Sequence, residues 1–118
     1  MIKVLIADDE RIIREGLAFG VNWSELNMQV VALAGDGREA YNKTIETEPD
    51  LVIIDIRMPE MTGLDVIKAV REKLGDHVTF IILSGFNEFS YAQQGMSYGV
   101  AEYLLKPTYY VLQCLLVV

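Results

Sequence analysis

The sequence predicts an α/β fold in which helices cover both faces of a parallel sheet. Short apolar runs alternate five times with amphipathic segments along the chain. Such runs, when they are bounded by turn residues, are typical of buried parallel strands, and regular strand-then-helix alternation is typical of doubly wound sheets. A chain of 118 residues with 52% hydrophobic content can bury one core without disulfides or metals. We therefore expect a single domain.

The apolar runs define five strands. The third run, LVIID at 51–55, is rich in Val and Ile and is followed by a loop marked by Pro and Gly, which favours a central strand buried on both faces. The fourth run, 78–85, contains Ser84, and the fifth, 101–107, contains Lys106. The remaining two strands are predicted at 2–7 and 28–34.

Helices are predicted after each strand. In the segment 10–20, we place Ile12, Ile13 and Leu17 on one buried face, and we expect a loop at 21–27. The segment 36–49 opens with a turn and continues as a helix until Pro49 ends it. The later helices are predicted at 63–75, with Leu64, Ile67 and Val70 facing inward, at 88–99, where Gly95 weakens the helical pattern, and at 108–118.

Charge and composition exclude several classes of protein. Ten Lys and Arg residues against seventeen Asp and Glu residues give a net charge of −7, which repels nucleic acid. The single cysteine, Cys114, cannot form an internal disulfide, and the first apolar run is too short for a signal peptide or a membrane span. We expect a cytoplasmic protein with no membrane association.

Polar residues follow the predicted strands at the points where these end: Asp8 and Asp9, Asp55, Ser84 and Lys106. The carboxyl ends of parallel strands meet at one edge of the sheet, where α/β proteins bind ligands. Three clustered carboxylates repel one another, so they would either hold a proton or take a hard cation, for which Mg²⁺ is the natural choice. A carboxylate beside such a cation, a hydroxyl and an ammonium group could accept a phosphoryl group.

The motifs VLIADDE, DIRMPEMTG, LSGFNEF and YLLKP, in this order, resemble those of two-component response regulator receiver domains. The resemblance covers nearly the whole chain, which we interpret as one receiver domain at 1–118. It implies a flavodoxin-like (βα)5 fold with the strand order 2-1-3-4-5. It also implies a phosphoacceptor that has no external turnover and is therefore not a conventional enzyme.

The resemblance assigns roles to the acids. Asp55 matches the phosphoacceptor, which takes its phosphoryl group from a phosphohistidine of a sensor histidine kinase. Asp9 matches a direct Mg²⁺ ligand, and Asp8 matches its neighbour, which often acts through water. The backbone carbonyl of Arg57 would complete the protein's share of the metal ligands.

The resemblance also implies a switch. Ser84 matches the hydroxyl that moves to a phosphoryl oxygen, and Lys106 matches the lysine that pairs with another phosphoryl oxygen. Tyr103 matches the aromatic residue that turns inward when the hydroxyl moves. In the family this change pairs receivers into homodimers. The segments 22–40 and 84–107 further resemble receivers that precede an AraC-type helix-turn-helix domain, so DNA would be bound only through an output domain that is not in this chain.

The uncharged segment 108–118, TYYVLQCLLVV, differs from the amphipathic last helix usual in receivers. We expect this last helix to be atypical.

Three alternatives stay open. The chain could be a degenerate receiver that acts as an interaction module without phosphorylation. The run ALAGDGREA contains a GxGxxA pattern at Gly35, Gly37 and Ala40, which occurs in dinucleotide-binding folds. That pattern belongs after the first strand, however, where this chain instead has two acids that would repel a pyrophosphate. A phosphatase with Asp55 as its nucleophile would need a second acid close behind, and Ile56 and Arg57 do not supply one.

Overall fold

The computed structural model describes residues 1–83 and Gly99 in full and the backbone of Ser84 and of 102–105. Five parallel strands form one sheet in the order β2-β1-β3-β4-β5. The predicted fold class and strand order are confirmed. The strands are β1 (Ile2–Ala7), β2 (Met28–Ala34), β3 (Leu51–Asp55), β4 (Thr79–Ser84) and β5 (Glu102–Leu105).

Three α-helices connect the first four strands. They are α1 (Arg11–Gly20), α2 (Gly37–Thr47) and α3 (Gly63–Leu74). As predicted, α2 ends before Pro49, with Glu48 in the left-handed conformation donating its N–H to the Thr44 carbonyl. The helices predicted at 88–99 and 108–118 lie outside the described residues, apart from Gly99. Within the described part of the chain, no helix is long and apolar enough to cross a membrane.

The two faces of the sheet carry separate apolar cores. Successive residues of β1 alternate between them, because side chains point to opposite faces along a strand. Val4 and Ile6 pack with Leu17 of α1, whereas Leu5 and Ala7 pack with residues of α2 and α3. The predicted inward residues of α3, which are Leu64, Ile67 and Val70, are all buried. Helices therefore cover both faces, as expected of a doubly wound sheet.

The predicted buried face of α1 is wrong at one position. Ile12 is 88% exposed, whereas Leu17 is fully buried and Ile13 packs partly against the core. With about 100° of rotation per residue, Ile12 lies about 140° around the helix from Leu17, but Arg14 lies only about 60° away. Ile12 therefore points away from the core, and Arg14 lies half-buried at the edge of the inward face.

The predicted loop at 21–27 contains a 3₁₀ helix, Trp23–Leu26. Asn27 ends it in the left-handed conformation, and its N–H donates to the Ser24 carbonyl. Trp23 is buried, and its indole Nε1 donates to the Leu17 carbonyl at 3.1 Å. A buried indole needs such a partner, and this bond fixes the segment against α1.

Candidate functional site

Parallel register brings the acids of two strands to the same edge of the sheet. Ala7 of β1 pairs with Ile54 of β3, so Asp8 and Asp55 each follow a paired residue. β3 is buried along its whole length between β1 and β4. Asp55 therefore ends a central strand, at the carboxyl edge where open α/β sheets bind ligands.

Asp8, Asp9 and Asp55 form a compact carboxylate cluster. One oxygen from each side chain lies within 4.8 Å of the others. Asp8 is fully buried and Asp55 is 3% exposed, whereas Asp9 is exposed. At this separation, two carboxylates repel by on the order of 3 kcal/mol at an effective dielectric constant of about 20. A hard divalent cation relieves this repulsion, and an all-oxygen donor set fits Mg²⁺.

The backbone at Asp8 is fixed from both sides. Its N–H donates to the Ala34 carbonyl at 3.1 Å, at the end of β2. Its carbonyl accepts a hydrogen bond of 2.7 Å from Nη1 of Arg14. The Asp8 side chain also takes part, because Oδ1 accepts the N–H of Glu10 at 2.8 Å. These bonds hold the turn that presents Asp8 and Asp9.

The loop after Asp55 is held at both of its ends. At its start, the Ile56 N–H donates to the Leu83 carbonyl of β4 at 3.3 Å. At its end, the Gly63 N–H donates to the Ile56 carbonyl at 2.7 Å. A Cβ atom on Gly63 would overlap the Asp55 carbonyl oxygen and lie 3.0 Å from Cα of Ile56. Glycine at 63 is therefore required for α3 to start directly against the end of β3.

The middle of the same loop packs against the first turn of α2. The Gly37 N–H donates to the Pro59 carbonyl at 3.0 Å. Glu60 has a φ of 73°, a left-handed conformation that non-glycine residues rarely adopt. The next residue, Met61, lies so close to Gly37 that a Cβ atom there would overlap the Met61 carbonyl oxygen. The loop that follows Asp55 is thus seated on α2.

The glycines of the GxGxxA pattern make room for atoms of the chain itself. Gly37 accommodates the Met61 backbone, and Gly35 lies against Arg14, whose Nη1 would be 3.1 Å from a Cβ atom at that position. Asp36, between them, caps α2 by accepting the Glu39 N–H at 2.7 Å. The spaces that a dinucleotide-binding fold leaves for a pyrophosphate are occupied here by protein.

The other predicted site residues are described less fully. Arg57 is exposed and lies in the loop that follows Asp55. Ser84 ends β4, and its backbone pairs with Leu105 of β5. Tyr103 pairs through its backbone with Ile82. Lys106 lies outside the described residues, as do the side chains of Ser84 and Tyr103.

Arg14 and Gly63 did not emerge from the sequence as part of the site. The signal for Arg14 was available, because it is spaced three residues from the buried Leu17 and so falls at the edge of the inward face of α1. Gly63 could be read from the sequence only as the start of a helix. Its close approach to the Asp55 carbonyl depends on how the loop folds back, which local pattern does not determine.

The chain matches the response regulator receiver domain family over residues 4–111. It is 49% identical over 107 residues to the transcriptional regulatory protein YesN of Bacillus subtilis, and the aligned region covers 91% of this chain and 29% of YesN. It is 41% identical to the transcriptional regulatory protein HptR of Staphylococcus aureus, over 91% of this chain and 41% of HptR. The chain thus spans less than half the length of these curated relatives.

Solved structures agree with the sequence comparison. The REC domain of AraT, a response regulator from Geobacillus stearothermophilus, superimposes with a TM-score of 0.86 at 44% identity, over 96% of this chain and 91% of that one. A two-component transcriptional regulator AraC from Clostridium phytofermentans gives a TM-score of 0.84 at 26% identity, over 98% and 90% of the two chains. The chain belongs to the response regulator receiver domain family, and it is accordingly a two-component signalling module rather than a conventional enzyme.

Proposed function

We propose that Asp55 is the phosphoacceptor of this receiver, and that its phosphorylation by a sensor histidine kinase switches a transcriptional regulator. The observation that carries the proposal is the carboxylate cluster, in which Asp55 ends the central strand beside Asp8 and Asp9. Of the three acids, Asp55 is the one on that central strand, and the loop behind it is held by β4, α2 and α3.

The transfer is a displacement at phosphorus. A carboxylate oxygen of Asp55 attacks the phosphorus of a phosphohistidine, and an O–P bond forms as the P–N bond breaks. The electron pair of the broken bond returns to the imidazole nitrogen, which takes up a proton. The product is an aspartyl phosphate. Because the protein does little covalent chemistry in such a transfer, its contribution is positioning and charge neutralisation.

Asp8, Asp9 and Asp55 are the side chains that would hold Mg²⁺, and the Arg57 carbonyl would add a further oxygen. Mg²⁺ bound there would neutralise charge on the carboxylates and on the incoming phosphoryl oxygens. Without a cation, a phosphoryl donor would meet three negative groups whose mutual distances are at most 4.8 Å. We therefore expect phosphorylation to depend on a divalent cation.

Ser84 and Lys106 complete the proposed site from the neighbouring strands. Ser84 ends β4, next to the strand that carries Asp55, and Lys106 directly follows β5. A hydroxyl and an ammonium group at these positions would bind phosphoryl oxygens. The movement of Ser84 toward the phosphoryl group would give Tyr103 room to turn inward, which is the proposed switch.

We propose that the output of the switch comes from a further domain, since the chain spans less than half the length of YesN and HptR. The relatives YesN and HptR are transcriptional regulatory proteins, which supports a role in transcription, with DNA bound through a separate output domain. We propose that phosphorylation favours a homodimer and that the signalling takes place in the cytoplasm. Sedimentation with and without beryllofluoride, a mimic of the phosphoryl group, tests this, because an unchanged oligomeric state would contradict phosphorylation-dependent pairing.

Intact-mass measurement after incubation with acetyl phosphate and Mg²⁺ tests the proposed function. We expect a gain of one phosphoryl unit that is lost in Asp55→Asn and is absent when EDTA replaces Mg²⁺. A gain of one acetyl unit would instead report lysine acetylation by the donor, and phosphoramidate, which carries no acetyl group, is the matched control. A folded wild-type protein that gains no phosphoryl unit from either donor would indicate a degenerate receiver that acts as an interaction module.

A further inference from the structure

We infer that Arg14 is a positioning residue for the acidic turn, which we define as Asp8 and Asp9. The inference rests on the proposed function, because it concerns the metal affinity of that site. Arg14 belongs to α1, while the acidic turn follows β1, and the link between them is the hydrogen bond of 2.7 Å from Nη1 of Arg14 to the Asp8 carbonyl.

This hydrogen bond ties the Asp8 carbonyl to α1. Asp8 directly follows the last paired residue of β1, so the bond lies where the chain leaves the sheet. Asp8 itself is fully buried, and loss of a hydrogen bond to a buried carbonyl is unfavourable. Without Arg14, the acidic turn would lose this link to α1, and the carboxylates of Asp8 and Asp9 would shift with the turn.

The guanidinium of Arg14 contacts the backbone rather than an acid. Among the residues that the structure describes, ion pairs join Arg11 to Glu15 and Lys43 to Glu39, and Arg14 is in neither. Arg14 thus fixes the chain that carries the carboxylates through a contact with its backbone. This arrangement resembles the partners of metal ligands that orient a site without touching the metal.

Gly35 provides the space for Arg14. A Cβ atom on Gly35 would lie 3.1 Å from Nη1 and 3.6 Å from Cζ of Arg14. The first distance is tighter than an ordinary contact, so a methyl group at position 35 would require Nη1 of Arg14 to shift by a few tenths of an ångström. Gly35 directly follows β2 and makes room for the guanidinium of Arg14. The proposed phosphoryl transfer itself gives this glycine no role.

The two possible roles of Arg14, as a positive charge or as a positioning residue, predict opposite effects of its removal on Mg²⁺ binding. If Arg14 acted only through its positive charge, its removal would lessen the repulsion of Mg²⁺ and would tighten binding. If Arg14 positions the acidic turn, its removal weakens binding, since loss of such outer partners commonly costs about 10–100-fold in metal affinity. The sign of the change separates the two roles.

Isothermal titration of the full chain with Mg²⁺ tests the inference. We expect Arg14→Ala to raise the dissociation constant about tenfold and Arg14→Lys, which keeps a charged donor, to recover most of the affinity. Gly35→Ala keeps Arg14 but displaces it, so it should raise the dissociation constant by a smaller factor. Arg11→Ala is the matched control, because it removes an equal charge from the same helix at an exposed ion pair, and it should leave the dissociation constant unchanged or slightly lower.

Thermal unfolding without Mg²⁺ shows that each variant is folded before titration, and Gly35→Ala stands in if Arg14→Ala does not fold. Unchanged or tighter Mg²⁺ binding in the folded Arg14→Ala and Gly35→Ala proteins would overturn the inference and leave the proposed function intact. If the wild-type protein bound no Mg²⁺, the metal site of the proposed function would fail and this inference with it.

Discussion

The carbonyl oxygen of Met61 occupies the position where a side chain on Gly37 would begin. A Cβ atom on Gly37 would overlap that oxygen and would lie 2.6 Å from the Cβ atom of Met61. The Gly37 N–H also donates to Pro59 at 3.0 Å. The loop that follows Asp55 is thus seated on α2 through a glycine, and separation of the two elements would break this hydrogen bond.

We expect Gly37→Ala to destabilise the protein by about 1–3 kcal/mol, because the backbone of Met61 must move to make room for the methyl group. Phosphorylation by acetyl phosphate should slow as the loop shifts. Urea unfolding and intact-mass time courses measure the two effects. Gly16→Ala is the control, since an added Cβ atom there meets nothing within 4 Å, and it should stabilise α1 by up to about 1 kcal/mol. Equal stability of the two variants would contradict the packing described for Gly37.

The start of α3 should depend on Thr62. Its hydroxyl accepts the Asp65 N–H at 3.1 Å, and the Asp65 carboxylate accepts the Thr62 N–H at 3.3 Å, which together form a capping box. Loss of such a cap costs about 1 kcal/mol, so Thr62→Ala should lower the free energy of unfolding by that amount. Ser24→Ala removes a hydroxyl that bonds only an exposed Asn22 and should change stability by less than about 0.5 kcal/mol. If both variants lost equal stability in urea unfolding, the capping box would not be what stabilises α3.

Mg²⁺ should raise the melting temperature in a saturable way, because it binds the folded carboxylate cluster and not the unfolded chain. Asp9→Asn should weaken this effect markedly, since it removes one of the three carboxylates. In the absence of Mg²⁺ the same variant should be more stable than the wild type, because a repulsive charge has been removed. Differential scanning calorimetry measures both changes.

Glu72→Gln is the matched control for charge. Glu72 is exposed on α3 and is not in the carboxylate cluster, so its neutralisation should leave the Mg²⁺ effect unchanged. An equal rise of melting temperature with Mg²⁺ in wild type, Asp9→Asn and Glu72→Gln would mean that the cation acts by general screening.

The sheet was predictable because its signals are local. Each run such as LVIID at 51–55 carries its own apolar pattern and its own boundary residues, and regular alternation then determines a parallel sheet. The register that brings Asp8 beside Asp55 follows from the same logic, because both acids come directly after the apolar part of neighbouring strands.

Details that depend on distant residues were not predictable. Ile12 was placed on the buried face of α1, because an apolar residue in an amphipathic helix is ordinarily assigned to the core, yet it is exposed and Arg14 turns inward to the Asp8 carbonyl. The requirement for glycine at 37 arises from the approach of Met61, twenty-four positions later in the chain. The spacing of Arg14 from Leu17 indicates a position at the edge of the inward face, but neither its contact with Asp8 nor the approach of Met61 to Gly37 leaves a signal in the local sequence.

The most direct test of the central claim is to locate the phosphoryl group. Borohydride reduces an aspartyl phosphate to homoserine, which peptide mass spectrometry can assign to one position. After incubation with phosphoramidate and Mg²⁺, we predict homoserine at Asp55 alone, and none when EDTA replaces Mg²⁺. Homoserine at Asp8 or Asp9 instead, or equal labelling at Asp55 without a divalent cation, would contradict the assignment of Asp55 as the acceptor in a Mg²⁺ site built with Asp8 and Asp9.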